Sequence, residues 1–269
     1  MPVFSPLPRS EQPEILDQPT HDINALAANL GDLRALDRWL GSSALTWRGL
    51  WPMLRRLPPE NPYTLLDVAT GGADGPPYMA VHARRHGYTL HPIASDRLAD
   101  VLQLARASGA RFPLIRHDAL HIPLPNGAVD FATCALALHH FAPAEAVALL
   151  RELARVARYG VVVNDLRRAR PAYWGARLLA LGPWHTMARH DGPLSVLRAY
   201  TLPEARALGR GEPTQRAGAS LAALSPADHH QTIVHAAPCD TRRTIFLTAP
   251  PTAHCGNGRL VEYGIESYR

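Results

Sequence analysis

The first part of the chain changes its pattern of hydrophobic positions near residue 22. Residues 1–20 are rich in proline and show no periodicity, which predicts a loosely ordered start. From 22 to about 57, leucines recur every three, four or seven residues, which is the spacing of one face of a helix. We therefore expect residues 1–60 to form a helical extension that precedes the main fold and covers the substrate. The residues that carry this pattern are Leu26, Leu30, Leu33, Leu40, Leu50, Trp51 and Leu54.

Between residues 61 and 208 the period changes, and short apolar runs alternate with helical segments. The run from Val129 to Leu138 is apolar throughout, as expected of a strand buried on both faces. Strands and helices that alternate with short loops imply right-handed crossovers and a mostly parallel sheet. We predict a doubly wound, Rossmann-like α/β domain. Its predicted strands are 63–69, 90–95, 112–116, 129–138 and 160–165, and its predicted helices include 76–85, 97–107 and 143–156.

Residues 209–269 do not continue this pattern. A helical segment stops at Gly209, after which prolines are scattered and periodicity is weak. Two short β-branched runs, Gln231 to His235 and Thr244 to Thr248, are compatible with a final strand pair. The other interpretation, which the sequence slightly favours, is a reading-frame change near residue 209 that leaves an atypical tail and an uncovered sheet edge. The coding DNA tests it, because an alternative frame should then encode amphipathic strands.

Composition places the chain among globular proteins. Of its 269 residues 46% are hydrophobic and 19% charged, and no apolar run approaches the roughly 20 residues that span a bilayer. The first residues lack a basic segment followed by an apolar stretch, so we expect a cytoplasmic protein. The net charge of +5 comes from a chain without lysine, a pattern that indicates a GC-rich genome more than a nucleic-acid partner. Cys134, Cys239 and Cys255 lack metal-ligand spacing, and we predict neither disulfides nor a metal site.

Polar or small residues follow four of the predicted strands. Ligands of doubly wound sheets bind beyond the carboxyl ends of the strands, where the strand order reverses. Asp67 and the turn Thr70-Gly71-Gly72-Ala73 follow the first strand. Asp96 follows the second, and its carboxylate suits the two hydroxyls of a ribose. His117-Asp118-Ala119 follows the third strand and Leu138-His139-His140-Phe141 the fourth, so four strand ends offer candidate ligand contacts.

Each of these features also has an ordinary structural explanation. The loop after the first strand can be a tight turn, and Asp96 can cap a helix that begins at Arg97. The pair His139-His140 can be a hydrogen-bonded turn. Their order favours a ligand site, because unrelated turns would not be expected to place acids at three successive strand ends.

Residues 62–166 resemble the class I S-adenosylmethionine-dependent methyltransferases, in their small-molecule branch of quinone- and polyketide-tailoring enzymes. LLDVATGGAD is similar to the first motif of that family, which runs hydrophobic-hydrophobic-acid-hydrophobic-Gly-x-Gly-x-Gly. Ala69 and Ala73 stand where glycines are usual, and Gly71 is in place. IASDRLADVLQLAR resembles the second motif. HDALHIPLPNGAVD resembles the family segment Gly-Asp-Ala-x-x-Leu-Pro-Phe-Pro-x-x-x-Phe-Asp, and a Leu-His-His ending follows.

The resemblance implies S-adenosylmethionine as the cofactor and gives roles to single residues. Asp67 supports the methionine amine through water, and Asp96 binds the ribose. Leu98 packs against the adenine, which Asp118 and Ala119 hold. The full expected cofactor set is Asp67, Ala69, Thr70, Gly71, Gly72, Ala73, Asp96, Arg97, Leu98, His117, Asp118, Ala119 and Ala135.

The resemblance also favours methyl transfer to a small molecule, such as an aromatic, phenolic or quinone-like acceptor. The cofactor supplies the electrophile, so such an enzyme needs few catalytic side chains beyond those that align the reactants. His139 or His140 is the candidate base, although both residues can equally form only the wall of the pocket. The acceptor is expected to contact Arg167, Tyr173 and Trp174. A more ordinary interpretation puts the aromatic residues in the core and the arginine on a solvated helix face.

Other functions stay open on the sequence alone. An NAD-dependent Rossmann oxidoreductase also places an acid after the second strand, but the G-x-G-x-x-G fingerprint is missing. An inactive, cofactor-binding remnant follows if the tail is frame-shifted. Arginines interleave with tryptophan, tyrosine and leucine between residues 164 and 200, which allows contact with a membrane surface, a property that liposome co-sedimentation tests. No RNA-binding module is visible, and the sequence leaves open the oligomeric state and the choice among O-, N- and C-methylation.

Overall fold

The computed structural model describes residues 7–18, 22–212, 233–235 and 245–248. Two helices precede the first strand, as the leucine spacing predicted. Strands and helices then alternate up to the third strand, one helix separates the fourth strand from the fifth, and three further helices follow the fifth strand. The elements are α1 (Ile23–Leu40), α2 (Ser42–Leu54), β1 (Pro62–Val68), α3 (Gly75–Arg85), β2 (Thr89–Asp96), α4 (Ala99–Ala107), β3 (Leu114–Arg116), β4 (Val129–Ala135), α5 (Pro143–Val156), β5 (Ala157–Asp165), α6 (Arg170–Leu179), α7 (Thr186–Arg198), α8 (Leu202–Gly209), β6 (Ile233–His235) and β7 (Ile245–Thr248).

One sheet of seven strands runs through the described residues in the order β3-β2-β1-β4-β5-β7-β6. Strands β1 to β5 are parallel, whereas β7 runs antiparallel to both β5 and β6. The strand order reverses between β1 and β4, so the carboxyl ends of these two strands flank the point where such sheets bind ligands. The predicted doubly wound α/β fold is confirmed.

Both faces of the sheet are covered because side chains alternate along each strand. Leu65 on β1 lies beside Phe131 on β4, and both pack with residues of α2 and α3. The next residue, Leu66, points to the opposite face, where it packs with Ala132 and with residues of α5 and α8. Helix α2 is therefore part of the main core, whereas Leu26 and Leu30 of α1 pack with Val101 of α4 in a separate cluster.

Strand β4 ends earlier than predicted. It stops at Ala135, although the apolar run continues to Leu138. Leu136 has a φ of 55°, a left-handed conformation that an extended strand cannot contain. A 3-10 turn, Leu138–His140, follows and directs the two histidines toward the sheet end. Helix α4 likewise begins at Ala99 instead of Arg97.

The prediction of a loosely ordered start is wrong for residues 7–18, which pack along α7 and the end of β4. The Arg9 guanidinium donates hydrogen bonds to the backbone oxygens of Arg198, His139 and Phe141, at 2.7, 3.2 and 3.0 Å. Its carbon lies 4.4 Å from the ring centroid of Tyr200, which adds a cation–π contact. Polar contacts with sequence-distant residues fix this segment, and hydrophobic periodicity cannot predict such contacts.

The two β-branched runs of the tail contain the last strands of the sheet. β7 pairs with β5 from Asp165 to Val162, and β6 pairs with β7. The strand-pair interpretation agrees with this arrangement. The remainder of the tail lies outside the described residues, and the reading-frame change stays a prediction for the coding DNA.

Two expectations from composition concern the Cys134 thiol and the absence of a helix that spans a bilayer. Cys134 has no exposed surface, which confirms a buried thiol inside β4. Burial keeps the pKa of this thiol well above its usual range, so it is an inert group. Among the helices of the described ranges, none combines the length and the apolarity that a bilayer span needs.

Candidate active site

A cavity of about 1280 Å³ lies at the carboxyl ends of β1, β2 and β4. It extends under α1 and α2 on one side and reaches α6 and α7 on the other. Of the residues expected to bind the cofactor, only Ala73 is not part of the wall; its side chain is buried in a small alanine-rich cluster instead. The expected residues in the wall are Asp67, Ala69, Thr70, Gly71, Gly72, Asp96, Arg97, Leu98, His117, Asp118, Ala119 and Ala135.

Asp67 closes β1 as a buried carboxylate with two hydroxyl donors. The Thr133 hydroxyl donates to Oδ1 at 2.6 Å, and the Thr70 hydroxyl donates to Oδ2 at 2.7 Å. Burial raises the pKa of Asp67 to about 6, against the opposing effect of the two hydroxyls. A carboxylate has about four acceptor positions, so two remain for a ligand. A positive ligand group nearby would stabilise the ionised form.

The loop after β1 keeps the backbone of a glycine-rich turn although two of its residues are alanines. Ala69, Gly71 and Ala73, which occupy alternate positions, have φ values of 55°, 54° and 56°. This is the left-handed region, where a side chain costs free energy and glycine does not. The positions of the family's three glycines therefore retain the conformation that glycine favours.

The strain at Ala69 predicts a gain in stability on replacement by glycine. Ala69→Gly should raise the free energy of unfolding by up to about 1 kcal/mol, because glycine adopts positive φ without a steric cost. Chemical denaturation measures it. Ala28→Gly, at an exposed position inside α1, is the matched control and should lower stability by about 1 kcal/mol. A loss of similar size at both positions would contradict the assignment of strain.

Asp96 closes β2 and connects two loops. Its Oδ2 accepts a hydrogen bond from the Gly71 backbone N–H at 3.1 Å, and its Oδ1 accepts one from the Leu98 N–H at 3.0 Å. The contact with Leu98 is local, as in the capping interpretation, but the contact with Gly71 is not. Burial raises the pKa of Asp96, and the backbone donors oppose this. Asp96 lines the cavity, so the acceptor capacity that these donors leave is available to a ligand there.

Asp118 and Ala119 follow β3 at the far wall of the cavity. Asp118 Oδ1 accepts a hydrogen bond from the Leu120 N–H at 2.9 Å, and the rest of the carboxylate is exposed. Ala119 is 9% exposed and packs on the main core. This pairing of an open carboxylate with an apolar surface suits a planar ring that carries an amine.

His139 and Asp165 form a buried pair at the ends of β4 and β5. The imidazole Nδ1 lies 2.6 Å from Asp165 Oδ1, and the His139 backbone N–H donates to Asp165 Oδ2 at 2.7 Å. Because an ionised carboxylate only accepts hydrogen bonds, Nδ1 carries the proton of this contact. His139 Nε2 then faces Glu14, whose Oε1 lies 3.5 Å away.

His140 repeats this arrangement with other partners. Its Nδ1 lies 2.6 Å from Asp17 Oδ1, and its Nε2 lies 3.9 Å from Glu14 Oε2. Burial raises the pKa of Glu14 to about 7. Burial also acts to raise the pKa of Asp17, but the contact with His140 outweighs it and the pKa falls to about 2. The two rings stand 4.3 Å apart.

Arg198 joins the N-terminal segment to this cluster. Its Nη1 lies 2.8 Å from Asp17 Oδ2, and its Nη2 donates to the His140 backbone oxygen at 2.8 Å. Asp191 accepts hydrogen bonds from the backbone N–H groups of Ile15 and Leu16, at 2.9 and 3.1 Å. Residues of α7 therefore hold Glu14 and Asp17 in place.

The structure places two of the three residues expected to contact the acceptor in the cavity wall. Arg167 and Trp174 line the cavity, whereas Tyr173 does not. Tyr173 instead packs edge-on against Trp174, with the ring centroids 5.4 Å apart. Trp174 is 64% exposed, so it is not the core residue that the ordinary interpretation required.

Sequence reasoning missed the residues that complete the histidine cluster. Glu14 and Asp17 lie in a proline-rich segment without periodicity, and Arg198 ends a helix with little amphipathic character. Asp165 offered a signal, because it is a fourth acid at a strand end. A systematic reading of all five strand ends would have found it.

Comparison with known proteins supports a family assignment. Residues 65–160 match the sequence profile of a family described as a methyltransferase domain. A demethylmenaquinone methyltransferase from Deinococcus radiodurans is 35% identical over 87 residues. That match covers 31% of this chain and 34% of the relative, so the chain matches about a third of the length of this curated relative.

One of the solved structures compared shares the fold, with a TM-score above 0.5. A proposed O-methyltransferase from Nostoc punctiforme superposes with a TM-score of 0.54 at 17% identity, over 90% of this chain and 64% of that chain. A methyltransferase from Aquifex aeolicus, described as dependent on S-adenosylmethionine, has a TM-score of 0.48 at 18% identity, over 85% of this chain and 99% of that one.

Proposed function

We propose that this chain transfers a methyl group from S-adenosylmethionine to a small-molecule acceptor, since residues 65–160 match the family described as a methyltransferase domain. When bound, the cofactor supplies an electrophilic methyl group on a positively charged sulfur. The observation that carries the proposal is the convergence of Asp67, Asp96 and Asp118 on one cavity beside a loop with three left-handed residues.

The residues present fit this cofactor. Asp96 lines the cavity with acceptor capacity for the ribose hydroxyls, and Asp118 with Ala119 suits the adenine. A Cβ built on Gly71 meets no other atom within 4 Å, so the backbone at this position is open to a close ligand. Asp67 lies at the switch point, where it supports the positively charged methionine amine through water.

The acceptor is proposed to bind between the cofactor loop and the histidine cluster. His139 and His140 lie at this end of the cavity and are the candidates to promote loss of the acceptor's proton. Arg167 and Trp174 line the wall on the α6 side and are the proposed acceptor contacts; Tyr173 is proposed to act only by supporting Trp174. The name of the Deinococcus relative makes reduced demethylmenaquinone the first acceptor to assay, followed by simple phenols and enols.

Calorimetry tests the cofactor assignment. The wild-type protein should bind S-adenosylmethionine and S-adenosylhomocysteine and should not bind NAD. Asp96→Ala removes two hydrogen bonds to a charged group, each worth about 1.5–3 kcal/mol, so affinity should fall by about 100-fold or more. Asp100→Asn, on the exposed first turn of α4, is the matched control and should bind normally.

The alternatives predict different results in the same experiment. Binding of NAD in place of S-adenosylmethionine would support an oxidoreductase. A folded protein that binds neither ligand would support an inactive remnant. If Asp96→Ala and Asp100→Asn bound the cofactor equally well, Asp96 would not be the ribose ligand.

A further inference from the structure

We propose that Glu14, His139 and His140 form a binding site for a divalent metal ion at the acceptor end of the cavity. One ligand atom of each residue lies within 4.8 Å of the ligand atoms of the other two. Two imidazole nitrogens and one carboxylate form a donor set that Zn²⁺ and Fe²⁺ accept in proteins. The sequence predicted no metal site, and Glu14 lies in the segment that was expected to be loosely ordered.

The protonation of the two rings directs both Nε2 atoms toward Glu14. Each Nδ1 is 2.6 Å from a carboxylate, Asp165 for His139 and Asp17 for His140, so each Nδ1 carries a proton. In a neutral imidazole with this tautomer, Nε2 carries a free lone pair and can bind a metal ion. A carboxylate on the outer nitrogen of a metal-bound histidine is the common arrangement at metal sites, where it fixes the tautomer and raises the basicity of the ligand.

The distances suit a shared cation better than hydrogen bonds. Glu14 Oε1 lies 3.5 Å from His139 Nε2, and Oε2 lies 3.9 Å from His140 Nε2, both beyond the usual N–H···O length of about 2.7–3.2 Å. Two ligands bound at about 2.1 Å in a tetrahedral site stand about 3.4 Å apart. Each of the two carboxylate oxygens is thus already close to the separation from an imidazole nitrogen that two ligands of one ion require.

Glu14 is buried with an unsatisfied oxygen. Its side chain is 3% exposed, and Oε1 has no hydrogen-bond partner among the described residues. A buried carboxylate oxygen without a partner costs free energy, which a bound cation would recover. The Arg198 Nε lies 3.7 Å from Oε1, but the guanidinium also pairs with Asp17. Arg198 therefore does not pair with Glu14 alone.

The site would leave coordination positions open toward the cavity, as catalytic metal sites do. An acceptor hydroxyl bound there would lose its proton more readily, because a cation lowers the pKa of an oxygen that it binds. This role rests on the proposed function, whereas metal binding itself does not. It also fits acceptors with a phenolic or enolic oxygen. With both Nε2 atoms on the ion, the ion and not an imidazole would stabilise the acceptor anion.

Titration of the chelator-treated full-length protein with Co²⁺ and Zn²⁺ tests the proposal. We expect one ion per chain, with visible absorption bands from Co²⁺ in a site of low coordination number. X-ray absorption of the Zn²⁺-loaded wild-type protein should show two imidazole ligands, a result that does not depend on how well any variant folds. Absence of stoichiometric binding, or a coordination shell without imidazole, would overturn the proposal.

Variants identify the ligands. Glu14→Gln and His139→Ala/His140→Ala should weaken Zn²⁺ binding by about 100-fold or more, and Asp165→Asn, which changes a positioning residue, by about 10- to 100-fold. The matched control is His229→Ala/His230→Ala, which removes the other adjacent histidine pair of the chain. It should bind Zn²⁺ as the wild type does. Binding that is lost only in this control would place the ion elsewhere and refute the site.

The two proposals can fail separately. Binding of S-adenosylhomocysteine is measured on the same metal-free samples. Stoichiometric metal binding without cofactor binding would refute the methyltransferase function and leave the metal site intact. Cofactor binding without metal binding would refute the metal site and leave the proposed methyltransferase function intact.

Discussion

Replacing His139 and His140 together with alanine should lower the turnover number by about 10²- to 10⁴-fold, the range expected when a group that handles a proton is lost. Both rings line the cavity, and their Nδ1 atoms pair with Asp165 and Asp17, which are not residues expected to bind the cofactor. The dissociation constant of S-adenosylhomocysteine should therefore change little. Methyl transfer to whichever acceptor of the panel is used, together with calorimetry, separates these two effects.

The control for this experiment is a pair of exposed histidines outside the cavity. His91→Ala/His121→Ala should leave both turnover and cofactor affinity unchanged, because both rings are exposed and neither lines the site. Equal losses of turnover and cofactor affinity in His139→Ala/His140→Ala would indicate a structural role. A loss of turnover alone follows whether an imidazole or a bound cation acts on the proton, and the metal dependence of the wild-type rate distinguishes the two.

The candidate cofactor site was predictable because parallel strands end at one edge of the sheet. Asp67, Asp96 and Asp118 are separated by 29 and 22 positions along the chain, yet each lies within two residues of the carboxyl end of a strand. Alternation of strands and helices is a local property of the sequence, and it fixes that these strands are parallel. Reading the residue after each strand is then enough to bring the three acids together.

The same reasoning could not find Glu14 and Asp17. Their positions depend on the Asp191 carboxylate, which accepts hydrogen bonds from the backbone between them, and on an ion pair with Arg198; both partners are more than 170 residues away along the chain. No periodic pattern encodes such contacts, and a proline-rich composition suggests disorder where specific polar contacts impose order. The early end of β4 was missed for a related reason. Leu136 adopts a left-handed conformation, which an apolar residue in a sequence does not indicate.

The replacement Glu204→Gln is expected to lower the free energy of unfolding by about 3–5 kcal/mol, because it leaves a buried guanidinium without its counter-charge. Arg168 has 2% of its side chain exposed, and its Nη2 lies 2.5 and 2.6 Å from the two Glu204 oxygens. Arg168 Nη1 also donates to the Leu7 backbone oxygen at 2.9 Å. The pair thus joins α8 to the end of β5 and to the N-terminal segment.

Glutamine is chosen because it keeps the cap of α8. Glu204 Oε2 accepts a hydrogen bond from the Thr201 backbone N–H at 2.7 Å, and a glutamine oxygen can do the same. The matched control is Glu212→Gln, which breaks an exposed pair with Arg210 and should change stability by about 0.5 kcal/mol or less. Denaturant titration of both variants measures the difference. Equal effects would show that burial of Arg168 does not set the cost.

The stability that Glu204 contributes should depend on pH, because its carboxylate has to be ionised to pair with Arg168. Burial acts to raise the pKa of Glu204, but the Thr201 N–H and Arg168 outweigh it and hold the pKa below its ordinary value. A lowered folded-state pKa means that the stabilisation is present above the ordinary glutamate pKa and is lost as the pH falls through the lowered one. The difference in free energy of unfolding between wild type and Glu204→Gln should therefore become smaller in acid. If this difference did not depend on pH, the loss of stability would come from packing and not from charge. If it becomes smaller in acid, a specific ion pair holds α8, the last helix before the atypical tail, to the domain.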